Sequence, residues 1–595
     1  MNLSSTIKSI QDIMRKDDGV DGDAQRLGQL TWMLFLKVFD QREEEWIDDN
    51  AAYKSPLPER YRWSNWAAYK ADAEGKKKPQ IAGSELISFV NNELFPALKD
   101  QIDASKSPQH KVIKQVFEDA NNYMKSGPQM LAVIEKLEDA INFHDFKIRA
   151  SLGDVYEQML NDLRGAGNAG EFYTPRAITA FMANQVNPRL DKRETVMDPA
   201  CGTGGFLTAA IDHFRNQLST KSSSEDKRAI EELIHGIEKK QLPHLLCTTN
   251  MLLHGIDVPS QIEHRNTLGI GWNEWSANDK VDCIITNPPF GGYEDDGVGS
   301  DYPADLRTRE TADMFMALII KKLLKENGRA AVVLPDGFLF GVGIKGTLKK
   351  LLLRDCKLHT IIRLPKGVFA PYTTIKTNLL FFTKGPTVDD GTEHFHTDTI
   401  WFYEHPYPAG YKSYSKTKPI RLEEFKPEQE WWGDESDNFS ARENDKENKQ
   451  AWKYDFKIKR VQTEVAAQPH WQRAEELNNQ AAALEGEAGD LRKSLVGTTV
   501  SAYRGKIDAQ IVDLRAQAEP LRQQARDAQA AGDRIYWPIF NLDIKNPNVP
   551  EEETHDPDVL LEKYKKLLGE IEETENQLKS ELAAALAHHF VDEDV

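Results

Sequence analysis

From Leu30 to Phe39 the chain reads LTWMLFLKVF, apolar on nearly every side, and then turns polar at QREEEW. Leu30, Met33, Leu34, Leu36, Val38 and Phe39 predict a helix enclosed in the core of a bundle. Residues 1–150 read as mostly helical. Between about 151 and 415 the period changes, and TVMDP, IHGIE, VDCIITN, RAAVVLP, LHTIIRL and TNLLFFT stand as short β-rich runs between helical patterns. That alternation predicts a mainly parallel α/β sheet. The helix ADMFMALIIKKLLKENG is expected to close at Asn327-Gly328, with a strand from Ala330.

Residues 416–595 form a third region. A Trp- and Lys/Glu-rich connector leads to an Ala/Gln/Glu/Arg-rich stretch at 470–534, where Leu477, Leu484 and Leu491 repeat every seven residues. Ala481, Ala488 and Leu495 follow each by four, which makes a short a/d seam. Pro520 is expected to interrupt any single continuous helix. A last amphipathic helix, roughly 557–590, carries Leu560, Leu567, Ile571, Leu578 and Leu582. The pattern leaves two readings open: these helices pack on one another as a hairpin, or they offer a docking surface to a partner.

At 595 residues the chain is long enough for several domains. Its net charge of −19 argues against a protein that coats nucleic acid unaided, because phosphate binding needs clustered Lys and Arg. No apolar run approaches the ~20 residues of a membrane span, and the start carries no apolar signal core, so a cytoplasmic protein is expected. Cys201, Cys247, Cys283 and Cys356 lie far apart without a CxxC pair. Reduced, buried thiols are expected, and no thiolate zinc site.

The chemistry concentrates in two places. In TVMDPACGTGGFLTAAIDHF a β-rich run ends at Asp198-Pro199, a glycine-rich turn follows, and helical spacing resumes at Phe206. Such turns bring backbone N–H groups against a cofactor at the carboxyl edge of a sheet, although a tight turn without a ligand has the same letters. Glu238, at the end of IHGIE, is placed to accept the hydroxyls of a ribose. The second place is CIITNPPFGGY, residues 283–293, a buried strand that stops against two prolines. An exocyclic amine on an aromatic ring is a poor nucleophile because its lone pair is delocalised. The Asn287 side-chain oxygen and the Pro288 carbonyl can accept its hydrogens, hold the nitrogen nearer tetrahedral and stabilise charge that develops on attack. Phe290 offers a face on which a base stacks, worth ~1–3 kcal/mol in single-strand binders. Two decoys are set aside. GAGNAG at 165–170 spells GxGxxG but follows a helical run, and His394, His396 and His405 read as surface histidines, so no metal is expected.

DPACGTGGF followed by NPPF resembles the paired motifs of S-adenosylmethionine-dependent methyltransferases acting on adenine N6, and EFYTPR ahead of both gives the order of their gamma class. GEFYTPR, ETADMFM, RAAVVLPDGFLF, LPKGVFAPYTTIKTNLLFFTKG and NLDIKNPN resemble, in sequence order, the modification subunit of type I restriction-modification systems. The resemblance implies a Rossmann-like S-adenosylmethionine-dependent methyltransferase sheet between a helical N-terminal domain and a helical C-terminal region. It implies that Glu171, Phe172, Tyr173, Thr174, Pro175 and Arg176 close over the cofactor, with Gly202, Thr203, Gly204 and Gly205 beside its methionine part. Glu238 would hold the ribose, with Asp198 and Asn266 as further contacts. Asn287, Pro288, Pro289 and Phe290 would receive an adenine swung out of duplex DNA. The partners implied are a specificity subunit, one for two modification subunits, and a restriction subunit that can join them. Two rivals remain at this point: a methyltransferase for protein glutamine amides, and a structural subunit without activity.

Overall fold

The computed structural model describes residues 3–50, 52–71, 74, 77–81, 83–162, 173–219, 222–415, 417–444, 448–496, 501–548 and 557–589. Around the apolar run, a helix spans Asp23–Asp49 and buries Leu27, Leu30 and every residue from Trp32 to Phe39. Helices Leu3–Met14, Pro108–Phe117, Gly127–Ala140 and Phe146–Asp162 supply the rest of the same core. Ser107 and Ser126 cap two of them, each hydroxyl accepting a backbone N–H from three residues on, with proline in the first turn. Among the acids buried here, Glu43 accepts from Tyr53 Oη and Ser55 Oγ, both at 2.9 Å. Burial pushes its carboxyl up to about 7.

The main sheet has nine strands among the described residues: β1 Val196–Asp198, β2 Ile234–Glu238, β3 Ile262–His264, β4 Val281–Thr286, β5 Leu324–Pro335, β6 Cys356–Arg363, β7 Thr377–Lys384, β8 Ile400–Glu404 and β9 Ala451–Tyr454. Their order is β9-β8-β6-β7-β5-β4-β1-β2-β3. The run from β3 to β5 is parallel, as is β6 with β8, while β7 lies antiparallel to both β5 and β6, and β9 antiparallel to β8. Alternate residues feed two cores: Val332 and Leu334 point to one face, Ala331 and Val333 to the other. Helices Thr311–Leu318 and Ile344–Asp355 contribute to the first core, Arg176–Val186 and Gly205–Asn216 to the second. Burial on both sides is why these strands read as continuous apolar runs.

Four expectations need correction. The helix that starts at Thr311 ends in a wide turn at Leu323, and β5 begins at Leu324 rather than Ala330. Asn327-Gly328 lies inside the strand as a bulge: pairing passes from Val281–Leu324 to Cys283–Arg329, and Asn327 takes the left-handed conformation at φ 61°. Pro520 breaks nothing, because one helix runs from Ser501 to Tyr536 through it. That helix packs against Phe456–Ser494 as an antiparallel hairpin, with Leu477, Ala481, Ala488 and Leu495 of the seam buried and Leu484 and Leu491 half-buried. Third, His405 is not a surface histidine: it is buried, with Nδ1 2.5 Å from Glu428 Oε1. The stretch read as connector also contributes β9, so the sheet extends past residue 415. All four cysteines are free and buried.

The chain divides into two compact units, Met1–Lys545 and Asn546–Val595. The second contains the helix Pro557–His589. No helix among the described residues is long and apolar enough to cross a membrane.

Candidate functional site

From β1 the chain winds outward to β2 and β3, and then returns to lay β4 and β5 on the other flank of β1. The order reverses between β1 and β4, and at such a point the loops leaving two neighbouring strands diverge and open a crevice at the carboxyl edge. Here those loops are the glycine turn and NPPF.

Asp198 joins them. The Thr286 hydroxyl at the end of β4 donates to Asp198 Oδ1 at 2.7 Å, and the Ala200 N–H donates to the same oxygen at 3.1 Å. The carboxyl is 1 % exposed, and burial pushes it up to about 7 against the pull of both bonds. Beyond it, Gly202 and Gly204 take positive φ, 54° and 85°. A Cβ on Gly204 would lie 2.8 Å from Cys247 Sγ and 3.0 Å from Met251 Cε, whereas one on Gly202 would meet nothing within 4 Å. Glycine is thus required at 204 for close packing on the helix Gln241–Leu253, while at 202 the space is open. Glu238 closes the turn from the end of β2, accepting the N–H of Gly202 at 2.9 Å and that of Lys240 at 2.8 Å.

Asn287 follows β4 directly. Its Nδ2 donates to Thr174 Oγ1 at 2.9 Å, and its Oδ1 is buried with no hydrogen-bond partner. A buried amide oxygen left open is costly unless something arrives to use it. The Thr311 hydroxyl fixes the loop from behind by donating to the Pro289 carbonyl at 2.8 Å.

These groups share one cavity of about 210 Å³. Tyr173, Thr174, Asp198, Gly202, Thr203, Gly205, Glu238, Asn287 and Pro289 line it. Other residues singled out from sequence lie elsewhere. Phe290 is half-buried against the sheet core, and Pro175 caps the helix Arg176–Val186. Arg176 faces three carboxylates, Asp154 at 3.0 Å, Glu157 at 3.1 Å and Asp212 at 3.5 Å. Asn266 caps the short turn Thr267–Gly269 and donates to Glu294 Oε2 at 3.1 Å, so its amide is engaged in holding a loop. Glu171, Phe172 and GAGNAG fall outside the described residues. No cluster of metal-ligating side chains occurs among the described residues.

Sequence reasoning missed much of the wall. Ala24, Leu27 and Leu160 come from the N-terminal helices, Leu242, Pro243 and Leu246 from the helix after β2, and Tyr372 from the loop before β7. Each reads as ordinary core, and nothing in the sequence pattern marks the helical part as reaching the cavity.

A doubly wound sheet, a glycine turn closed by a strand-end carboxylate, and an open amide oxygen on the neighbouring loop define the Rossmann-like methyltransferase class. Within it, the sequence pattern of the N-6 DNA Methylase family matches residues 147–469, and that of the HsdM N-terminal domain matches 3–137. The type I restriction enzyme EcoEI methylase subunit of Escherichia coli is 49% identical over 588 residues, covering 99% of each chain. Among solved structures, a chain from Vibrio vulnificus YJ016 assigned as a type I modification subunit is 39% identical, with TM-score 0.62 over 76% of this chain and 91% of that one. A chain from a study of complex assembly in the type I R-M system is 28% identical, with TM-score 0.66 over 97% and 98%. This chain therefore belongs to the N-6 DNA methylase family, among the methylase subunits of type I restriction enzymes.

Proposed function

We infer that this chain transfers a methyl group to the N6 amine of adenine in DNA, as the modification subunit of a type I restriction-modification assembly. The observation that carries the reading is the Asn287 amide, whose buried oxygen has no partner and lines the cavity beside the glycine turn. An amine with two hydrogens is the group that oxygen lacks. It accepts one hydrogen, the Pro288 carbonyl accepts the other, and the nitrogen lone pair is released from the ring. The amine reaches that oxygen only if the adenine leaves the duplex. No carboxylate base is needed, because the nitrogen becomes acidic only after it has been alkylated.

The cavity fits S-adenosylmethionine on this chain's own features. Glu238, held by two backbone N–H groups, stands in the cavity wall where a ribose diol would meet its carboxylate, and the open side of Gly202 leaves room for the cofactor to approach the backbone. Leu27, Leu160, Leu242 and Leu246 supply apolar walls. Bound there, the cofactor provides an electrophilic methyl group. The protein supplies alignment and exclusion of water.

Duplex DNA is the substrate, and the chain works with partners in the cytoplasm: two copies with one specificity subunit, to which a restriction subunit can be added. That arrangement accounts for a net charge of −19 on a DNA-modifying chain. The helix Pro557–His589 is the candidate dock, exposing Leu561, Tyr564, Leu567, Ile571, Leu578 and Leu582. The test is base-resolved mapping of N6-methyladenine in cells that carry the native operon with wild-type chain or Asn287→Ala. Loss of methylation at a two-part sequence in the variant supports the reading. An unchanged pattern gives the protein-amide or structural reading precedence.

A further inference from the structure

Arg176 and Thr174 sit two residues apart in the motif that resemblance assigns to the cofactor, yet the structure gives them a different task. The Thr174 side chain is buried and its hydroxyl accepts the Asn287 Nδ2–H at 2.9 Å. Arg176 does not line the cavity; it lies against Asp154 and Glu157 of the helix Phe146–Asp162 and against Asp212 of the helix that leaves the glycine turn. Between the two residues, the Pro175 carbonyl accepts the N–H groups of Ile178 and Thr179, so the segment enters its helix in one conformation. The Thr179 hydroxyl donates to the Arg176 carbonyl, which ties the first turn down again.

We propose that Thr174 is a positioning residue for methyl transfer, and that Arg176 is the strut that holds it: together they fix the Asn287 amide so that its oxygen faces the incoming amine. The proposal rests on the functional reading above. A side-chain amide rotates easily about its last bond, and its two ends differ only as donor and acceptor. Turned over, it would present N–H groups to the N–H groups of the amine and oppose attack. The Thr174 hydroxyl, accepting from the nitrogen end, holds the amide in this orientation before substrate arrives. The three carboxylates around Arg176 belong to two helices, so the strut registers the segment against both.

The test uses the full chain in its native assembly and reads the single-turnover methylation rate beside cofactor Kd and melting temperature. Thr174→Val should slow transfer about tenfold, the rate equivalent of one buried hydrogen bond, with Kd within twofold and melting unchanged. Thr174→Ser should restore most of the rate. Thr174→Val added to Asn287→Ala should cost nothing further, because the group it positions is gone. Arg176→Gln should slow transfer by about threefold in the same manner, and Arg176→Lys by less. A Thr174→Val chain that binds cofactor tenfold more weakly but transfers at the wild-type rate overturns the proposal and makes Thr174 a cofactor contact. If the wild-type assembly methylates no DNA, the functional reading fails by itself. A crystal structure of Thr174→Val then decides the positioning claim: an amide turned from its wild-type orientation supports it, and an unmoved amide overturns it.

Discussion

Replacing Glu238 by glutamine separates two roles that one carboxylate combines. In the fold its oxygens accept the N–H of Gly202 at 2.9 Å and of Lys240 at 2.8 Å, so it pins the glycine turn to the end of β2. Glutamine keeps one acceptor and sets an NH2 against the other donor. One charge-assisted bond is lost and one N–H is left facing hydrogens, about 2 kcal/mol in stability and a fall of a few degrees in melting temperature. The second, proposed role is to accept ribose hydroxyls, and there a neutral amide in place of a carboxylate should weaken S-adenosylmethionine roughly 10- to 100-fold. Isothermal titration of the cofactor, with melting curves of the free chain, reads the two effects independently. A Kd within about threefold of wild type, alongside the expected loss in melting temperature, refutes the ribose assignment, since the carboxylate would then only hold the turn.

Gly204→Ala adds a Cβ 2.8 Å from Cys247 Sγ at a φ of 85°, and strain plus overpacking should cost about 2–4 kcal/mol in denaturant titration. Gly202→Ala meets open space and should cost only about 1 kcal/mol, with its main effect on cofactor affinity. Glu43 titrates near 7 in the fold against a usual 4.5, so the folded chain binds the extra proton between those values. Its contribution is therefore full below about 4.5 and is lost as pH rises through about 7, and Glu43→Gln should flatten the fall in melting temperature over that window. Removal of residues 555–595 should abolish co-purification with the specificity subunit and leave cofactor binding intact. Loss of both would assign that segment to folding.

Six of the nine strands described in the main sheet were legible as apolar runs, because a strand buried on both faces has few polar residues to blur it. The three that were not, β3 at Ile262–His264, β8 at Ile400–Glu404 and β9 at Ala451–Tyr454, have three to five residues each, and β3 and β9 are the sheet edges. Edge strands carry mixed polarity and take their partner from topology, which no local window contains, whereas β8 is buried along IWFY and was open to the same reading as the six. The glycine turn, Glu238 and NPPF were readable because each sits at a strand end with its own chemistry. Arg176 and Asn266 were not, since their roles depend on carboxylates that sequence places 19 to 36 residues away: Asp154, Glu157 and Asp212 for the first, Glu294 for the second. Pro520 misled because a proline penalty of ~3 kcal/mol is set against a whole hairpin seam, and the seam prevails.

The N-terminal helices are part of the site rather than an appendage to it. The helix Gln241–Leu253, which follows β2, gives Leu245, Leu246, Leu252 and Leu253 to the N-terminal core and Cys247 and Met251 to the core under the glycine turn. One helix therefore belongs to two cores at once. Its outer side meets the Asp23–Asp49 helix, whose Ala24 and Leu27 line the cavity, and Asn250 on the same helix donates to the Thr203 carbonyl in the turn at 3.1 Å. Any shift of the helical region against the sheet must move this helix, and with it the turn and the cavity wall together. A partner that bears on the N-terminal helices thus has a packed route to the glycine turn, while the Asn287 loop is held from the sheet side through Thr286 and Thr311.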